Sequence, residues 1–207
     1  MEIIRLPGLT LYPAAMARMD AAVERVLAGG TETLFLLEHD PVFTIGSSGD
    51  AATEVLDAGN IPVLPTGRGG KTTYHGPGQL VAYVIKDLRK SKDLRKYIQV
   101  LQEWTITTLA DLGVDAFTTD DIGVWVNSPD APAPAKIAAI GVRVRKWVAF
   151  HGVAINVNPD LAAFQRIVPC GLAKPVTSLA ELGISATLQQ VEERLVANTS
   201  HCLNSQV

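Results

Sequence analysis

Residues 65–79 read Pro-Thr-Gly-Arg-Gly-Gly-Lys-Thr-Thr-Tyr-His-Gly-Pro-Gly-Gln, with five glycines and two prolines between apolar runs. Neither a helix nor an uninterrupted strand tolerates that composition, because proline lacks the amide donor and glycine loses the most backbone freedom on ordering. The stretch is therefore a shaped loop. The apolar run at residues 80–85 that follows, and the short one at 61–64 before it, predict that the loop joins two sheet elements. Glycine lets backbone approach a ligand closely, and Arg68, Tyr74, His75 and Gln79 project from it as polar handles, which predicts a substrate cradle.

With 207 residues, 47% of them hydrophobic, the chain suffices for one well-packed domain, taken as residues 1–207. A net charge of −3 gives no global drive toward nucleic acid or an anionic membrane. The start, Met-Glu-Ile-Ile-Arg-Leu-Pro, lacks a basic segment followed by an apolar one, and no run nears the roughly 18 apolar residues of a membrane span. A soluble, cytoplasmic protein is expected. In that compartment the two cysteines, Cys170 and Cys202, are expected to stay reduced.

Hydrophobic periodicity predicts an early helix over residues 12–28, closed by Gly29-Gly30, and a long one over 94–112, closed by Gly113. Thr187-Leu-Gln-Gln has capping-box spacing ahead of a C-terminal helix. Shorter helices are expected at 53–58 and 177–183, and one helical turn at 160–164. Strands are expected at 33–38, 41–45, 61–64, 80–85 and 122–126, followed by three β runs at 137–144, 147–150 and 153–157. The class is α+β, a mixed α/β fold with a central mixed sheet flanked by helices. Residues 127–135, Asn-Ser-Pro-Asp-Ala-Pro-Ala-Pro-Ala, read as a mobile connection.

Several side chains carry chemistry. Cys170 stands in Ile-Val-Pro-Cys-Gly, where Pro169 stiffens the approach and Gly171 leaves room beside the sulfur; a thiolate nucleophile and a core thiol both fit. Cys202 continues an apolar helical pattern and reads as packing. Lys136, at the start of an apolar run, is either a solvated strand-edge gatekeeper or a cleft lysine that holds a thiolate or takes a proton. His75 and His151, each followed by glycine, are structural or catalytic. No Cys/His group has metal-ligand spacing, so no metal is expected. The glycines fit neither G-x-x-x-x-G-K-[ST] nor G-x-G-x-x-G, which argues against two common nucleotide cradles. Basic residues cluster at Lys86, Arg89, Lys90, Lys92, Arg95 and Lys96, and again at Arg143, Arg145 and Lys146, either as solvated faces or as a dock for an acidic protein.

Arg68-Gly-Gly-Lys-Thr-Thr-Tyr-His-Gly-Pro-Gly-Gln-Leu-Val81 resembles the signature of the lipoate-biosynthesis octanoyltransferases, the LipB family. Glu38-His-Asp-Pro-Val-Phe-Thr-Ile-Gly46, Gly123-Val-Trp-Val126, Lys136-Ile-Ala-Ala-Ile-Gly-Val-Arg-Val144, His151-Gly-Val-Ala-Ile-Asn-Val157 and Ile167-Val-Pro-Cys-Gly171 are similar to that family's successive blocks, in order. The resemblance implies the fold of the biotin and lipoate protein ligases. It also implies an acyltransferase that moves an octanoyl group from acyl carrier protein to a lysine of lipoyl domains, namely those of 2-oxoacid dehydrogenases and the glycine cleavage H protein. Cys170 would carry the acyl thioester and Lys136 would lower the thiol's pKa and exchange its proton. Arg68, Gly69, Gly70, Lys71, Thr72, Thr73, Tyr74 and His75, with Ala139, Ile140, Gly141, Gly152, Val153 and Ala154, would bind substrate. No cofactor is implied, because the donor arrives as a thioester.

Two departures from the family stand out: Val84 follows the tyrosine where proline is common, and the Pro/Ala insert before Lys136 is long enough to gate the site. An ATP-dependent lipoate or octanoate ligase shares the expected fold and lysine but has no need of Cys170. A catalytically silent acyl- or carrier-binding module would keep the cradle without needing Lys136 and Cys170 together.

Overall fold

The computed structural model describes residues 1–127, 133–168 and 174–203, and among these described residues the chain forms two sheets and four helices. In chain order the strands are β1 (Glu2–Thr10), β2 (Thr33–His39), β3 (Val42–Ile45), β4 (Val63–Pro65), β5 (Thr73–His75), β6 (Gln79–Asp87), β7 (Ala116–Phe117), β8 (Val124–Val126), β9 (Ala135–Arg145) and β10 (Val148–Asn156). The helices are α1 (Tyr12–Leu27), α2 (Ala51–Glu54), α3 (Leu94–Ala110) and α4 (Leu188–Leu203), with a 3-10 segment at Leu161–Arg166. The main sheet runs β1-β2-β6-β10-β9-β8-β7 and the small one β4-β3-β5. Each is mixed: β1/β2 and β3/β4 are parallel, the other pairs antiparallel. The expected α+β mixed sheet is what forms.

The apolar faces of the helices decide which side of the main sheet each covers. Ala15, Met19, Ala22, Val23 and Val26 of α1 pack with Phe35, Leu37, Val81, Tyr83 and Ile85 on one face. On the other, Tyr97, Val100, Leu101 and Trp104 of α3 and Val191, Leu195 and Cys202 of α4 cover Leu34, Leu36, Ala82 and Val84. The Trp104 indole N–H donates to Leu195 O at 2.9 Å and ties the two helices together. The predicted capping box opens α4: Gln190 N donates to Thr187 Oγ1 at 3.2 Å and Thr187 N to Gln190 Oε1 at 2.9 Å. Cys202 is a buried free thiol in this core.

Three sequence expectations are corrected. The runs at 147–150 and 153–157 belong to one strand, β10, which continues through His151 although that residue has φ of +64°. The left-handed backbone takes His151 alone out of the two-residue alternation, which its neighbours keep on either side. Ala149 and Val153 face α3 and α4, Val148, Phe150 and Ala154 face α1, and the His151 ring lies against Phe150 and Tyr83 of the α1 side. Next along the chain, a Cβ at Gly152 would collide with Ala82 O of the neighbouring strand, so glycine is required there. Second, residues 177–183 are turns rather than a helix, because Leu179 N and Ala180 N bond to Asn156 O and Val157 O beyond the end of β10. Third, the helix expected at 53–58 is shifted to α2: Asp50 caps it by accepting from Ala52 N, and Val55 leaves it to bridge Ile167.

The basic clusters are divided. Lys86 is buried against Glu32 at 3.1 Å, Arg89 pairs with Asp87 at 2.6 Å and bonds the last carbonyls of α1, and Arg145 pairs with Asp20 and Glu24. These three hold the fold together. Lys90, Lys92, Arg95 and Lys96 are exposed. Among the described residues no helix is long and apolar enough to cross a membrane.

Candidate functional site

The glycine-rich loop is pinned between the two sheets. Ser47 N and Ser48 N, just past β3, donate to Arg68 O and Gly70 O at 2.8 and 3.2 Å, and Gly69 N donates to Val142 O of β9 at 3.0 Å. A Cβ at Gly46 would collide with Gly70 O, so the contact depends on glycine. Arg68 is buried and donates to Thr44 O at 2.6 Å and to Thr44 Oγ1. Glu54 of α2 holds the loop's far side, accepting from Thr72 N at 2.9 Å and Thr72 Oγ1 at 2.7 Å. Burial raises the Glu54 pKa, but these bonds and Lys71 outweigh it, leaving the carboxyl below its usual range.

Beneath this loop opens a cavity of about 520 Å³. Arg68 to Thr73 and His75 form one wall, and Ala139, Ile140, Gly141, Gly152, Val153 and Ala154, from the paired strands β9 and β10, form another. Leu94 and Ile98 of α3 border it with residues 120–122. Tyr74 is not part of the lining. Strand alternation turns its side chain away from Thr73 and His75, into a small core with Phe43 and Phe164 at ring distances of 5.7 and 5.4 Å.

Lys136 lines the same cavity, in the first residues of β9. Its Nζ donates to Ile122 O at 3.2 Å and lies 4.7 Å from the centre of the Trp125 ring, which Lys174 Nζ, paired with Asp121, approaches to 5.4 Å. Two cations thus share one indole. The Lys136 backbone is fixed by Lys136 N to Pro175 O at 2.8 Å and Thr177 N to Lys136 O at 3.0 Å. Pro175 and Thr177 follow Cys170 by five and seven residues, so the strand that carries the lysine is stitched to the segment that follows the cysteine. Cys170 itself, and residues 128–132 of the Pro/Ala insert with their expected mobility and gating, lie outside the described residues.

The other polar side chains meet in a buried cluster that sequence spacing did not bring together. His39 lies 5.7 Å from His75 and 5.7 Å from Tyr83, Tyr83 meets His151 edge-on at 5.8 Å, and Tyr12 stacks on His75 at 6.4 Å. His39 Nδ1 is 2.8 Å from Thr10 O, a pure acceptor, so Nδ1 carries the proton and Nε2 accepts the Tyr83 hydroxyl at 2.7 Å. Burial lowers all three imidazole pKa values: His39 below its usual range, His75 well below it with further help from His39 and Arg68, and His151 to about 3, with Arg68 and Arg143 adding to burial. At neutral pH the cluster is uncharged. The three histidines sit in blocks already quoted while Tyr12 and Tyr83 do not, and it is the folding of β5 of the small sheet against β2, β6 and β10 of the main sheet that brings them into contact.

This mixed sheet with its flanking helices has the fold of the lipoate and biotin protein ligases. The lipoate protein ligase of a bipartite archaeal lipoylation system from Thermoplasma acidophilum superposes with a TM-score of 0.74 over 99% of this chain and 84% of that one, at 20% identity. Biotin protein ligase from Aquifex aeolicus gives a TM-score of 0.56 over 99% and 69%, at 13% identity. At the level of sequence, the family described as lipoyl protein ligase A/B catalytic domain matches residues 12–200. Octanoyltransferases from Parvibaculum lavamentivorans and Cereibacter sphaeroides are 50% and 44% identical, covering 87% and 94% of this chain and 83% and 94% of their own lengths. The chain belongs to that family, as one of its octanoyltransferases.

Proposed function

We propose that this single-domain protein works in the cytoplasm, transferring an octanoyl group from octanoyl-acyl carrier protein to a lysine of a lipoyl domain through a thioester on Cys170. The acceptors are the lipoyl domains of 2-oxoacid dehydrogenases and the glycine cleavage H protein. In the first half-reaction the Cys170 thiolate attacks the donor thioester carbonyl, a new C–S bond forms, and the carrier's thiolate leaves with the proton that Lys136 took from Cys170. In the second, the acceptor amine attacks the acyl-Cys170 carbonyl, the C–N bond forms, and the Cys170 thiolate leaves while the amine's proton passes to Lys136. Exchange between thioesters is close to neutral in energy and amide formation is downhill, so no nucleotide is consumed.

The observation that carries this proposal is the placing of Lys136: it lines the cavity under the glycine-rich loop and is hydrogen-bonded to the residues that follow Cys170. Arg68 to Thr73, His75, Ala139 to Gly141 and Gly152 to Ala154 bind the acyl group and the carrier's thiol-bearing arm. Small residues on β9 and β10 leave room for an unbranched chain. Support also comes from the relatives named octanoyltransferase, which match almost end to end. The test is transfer from octanoyl-carrier protein to an isolated lipoyl domain without nucleotide. An octanoylated lipoyl domain is expected; transfer that requires ATP would replace this mechanism with that of an adenylating ligase.

A further inference from the structure

His75 is held by a chain of buried hydrogen bonds whose directions can all be assigned. At the far end, Thr177 O can only accept, so Asn156 Nδ2 donates to it at 2.9 Å. The other amide atom of Asn156, Oδ1, accordingly accepts from Gln79 Nε2 at 2.9 Å. That orients the Gln79 amide and leaves Oε1 facing His75 Nδ1 at 2.6 Å, where it needs a donor. The proton on His75 therefore resides on Nδ1. Nε2, on a side chain that lines the cavity, carries the lone pair.

We infer that Gln79 and Asn156 are positioning residues that lock His75 as its Nδ1-protonated tautomer, so that Nε2 serves the cavity as a neutral acceptor for the N–H of the attacking amine. A thioester offers only acceptor atoms at its reacting end, so it cannot satisfy Nε2; an amine nucleophile can. The identity of the donor as the acceptor lysine rests on the proposed acyl transfer, whereas the tautomer does not. The groups around His75 agree with a neutral role. Tyr12 stacks on it from α1, His39 faces it from β2, and Arg68 and His151 act on it from the loop and from β10. Burial and the Arg68 charge oppose an imidazolium there. His75 thus orients the amine and leaves the proton to Lys136. Because the chain ends on Thr177, whose N–H bonds Lys136 O, the two groups are set against a common piece of backbone.

The tautomer can be read directly from long-range 15N–1H spectra of the free protein at neutral pH. His75 is expected to show a protonated Nδ1 and an unprotonated Nε2; a protonated Nε2 would overturn the inference. In Asn156→Ala the Gln79 amide keeps only its long bond to Tyr74 O at 3.4 Å, so it can turn over, and the proton is expected to move to Nε2 of His75. Kinetically, the variant's aminolysis of a preformed acyl-enzyme should fall at least tenfold further than its self-acylation by an octanoyl thioester. Equal effects on the two steps would remove the amine-binding role, and failure of the wild type to acylate at all would instead sink the proposed function. Gln79→Glu provides a second route, because a carboxylate beside Nδ1 raises the His75 pKa and imidazolium has no lone pair on Nε2. Aminolysis should then gain an acid limb, falling as pH drops below the raised pKa; a pH profile identical to wild type would count against the inference.

Discussion

The two ends of the cavity handle polarity in opposite ways. At the imidazole end, His39, His75 and His151 are buried, uncharged and immobilised by hydrogen bonds or ring contacts, and the central strand keeps a left-handed residue to place one of them. A non-glycine residue in that conformation costs about 1–3 kcal/mol and persists because the surrounding sheet over-determines it. At the lysine end the charges remain. Lys136 and Lys174 both approach the Trp125 indole, beside exposed Ile122 and the segment that follows Cys170. The difference separates shape from charge: one end is a neutral wall of packed rings, and the other keeps lysine side chains at the cavity.

Removing the cation should break that division most severely. Lys136→Ala is expected to slow formation of the acyl adduct by at least about a hundredfold, the scale of general acid–base and ion-pair assistance. On the proposed role of Lys136, it should also shift the pH dependence of Cys170 alkylation to higher pH, because a thiol that loses a cationic partner is harder to ionise. Identical alkylation profiles in the two proteins would assign Lys136 a structural role.

Acid should instead attack the imidazole end. A histidine whose folded pKa is depressed contributes stability that is fully present above about 6.5 and is lost as pH falls toward the folded value, because the unfolded chain takes up the proton first. For His151, with a folded value of about 3, the loss between pH 7 and pH 5 is about 2 kcal/mol, and His39 and His75 act in the same direction. Urea unfolding at the two pH values measures it. His151→Asn, which tolerates the left-handed backbone, should reduce the difference; a wild-type stability unchanged between pH 7 and pH 5 would mean that the imidazoles are not neutral in the folded state.

How much of this was legible in the sequence differs between the same two ends. Lys136, the small residues of β9 and β10 and the glycine-rich loop stand in contiguous blocks that resemble those of the octanoyltransferases, so the resemblance points to them, and they line one cavity. Tyr74, in the same block, does not line the cavity, because a three-residue strand alternates and its middle side chain faces the Phe43 core. The histidine cluster is not legible in the sequence because its members come from residues 12, 39, 75, 83 and 151, on a helix and two different sheets, and only tertiary packing brings them together. Continuity of β10 through His151 was hidden for a related reason: a left-handed residue inside a strand interrupts the alternation by which strands are recognised. At 177–183 the local signals favoured a helix, but bonds from Leu179 and Ala180 to the end of β10 prevailed.

The central claim is that Cys170 carries the acyl group. Incubation with octanoyl-carrier protein in the absence of nucleotide, followed by intact mass measurement, tests it most directly. The expected result is a single octanoyl adduct that hydroxylamine removes and that Cys170→Ser does not form. No adduct on the wild-type protein, or an equal adduct on Cys170→Ser, would contradict it.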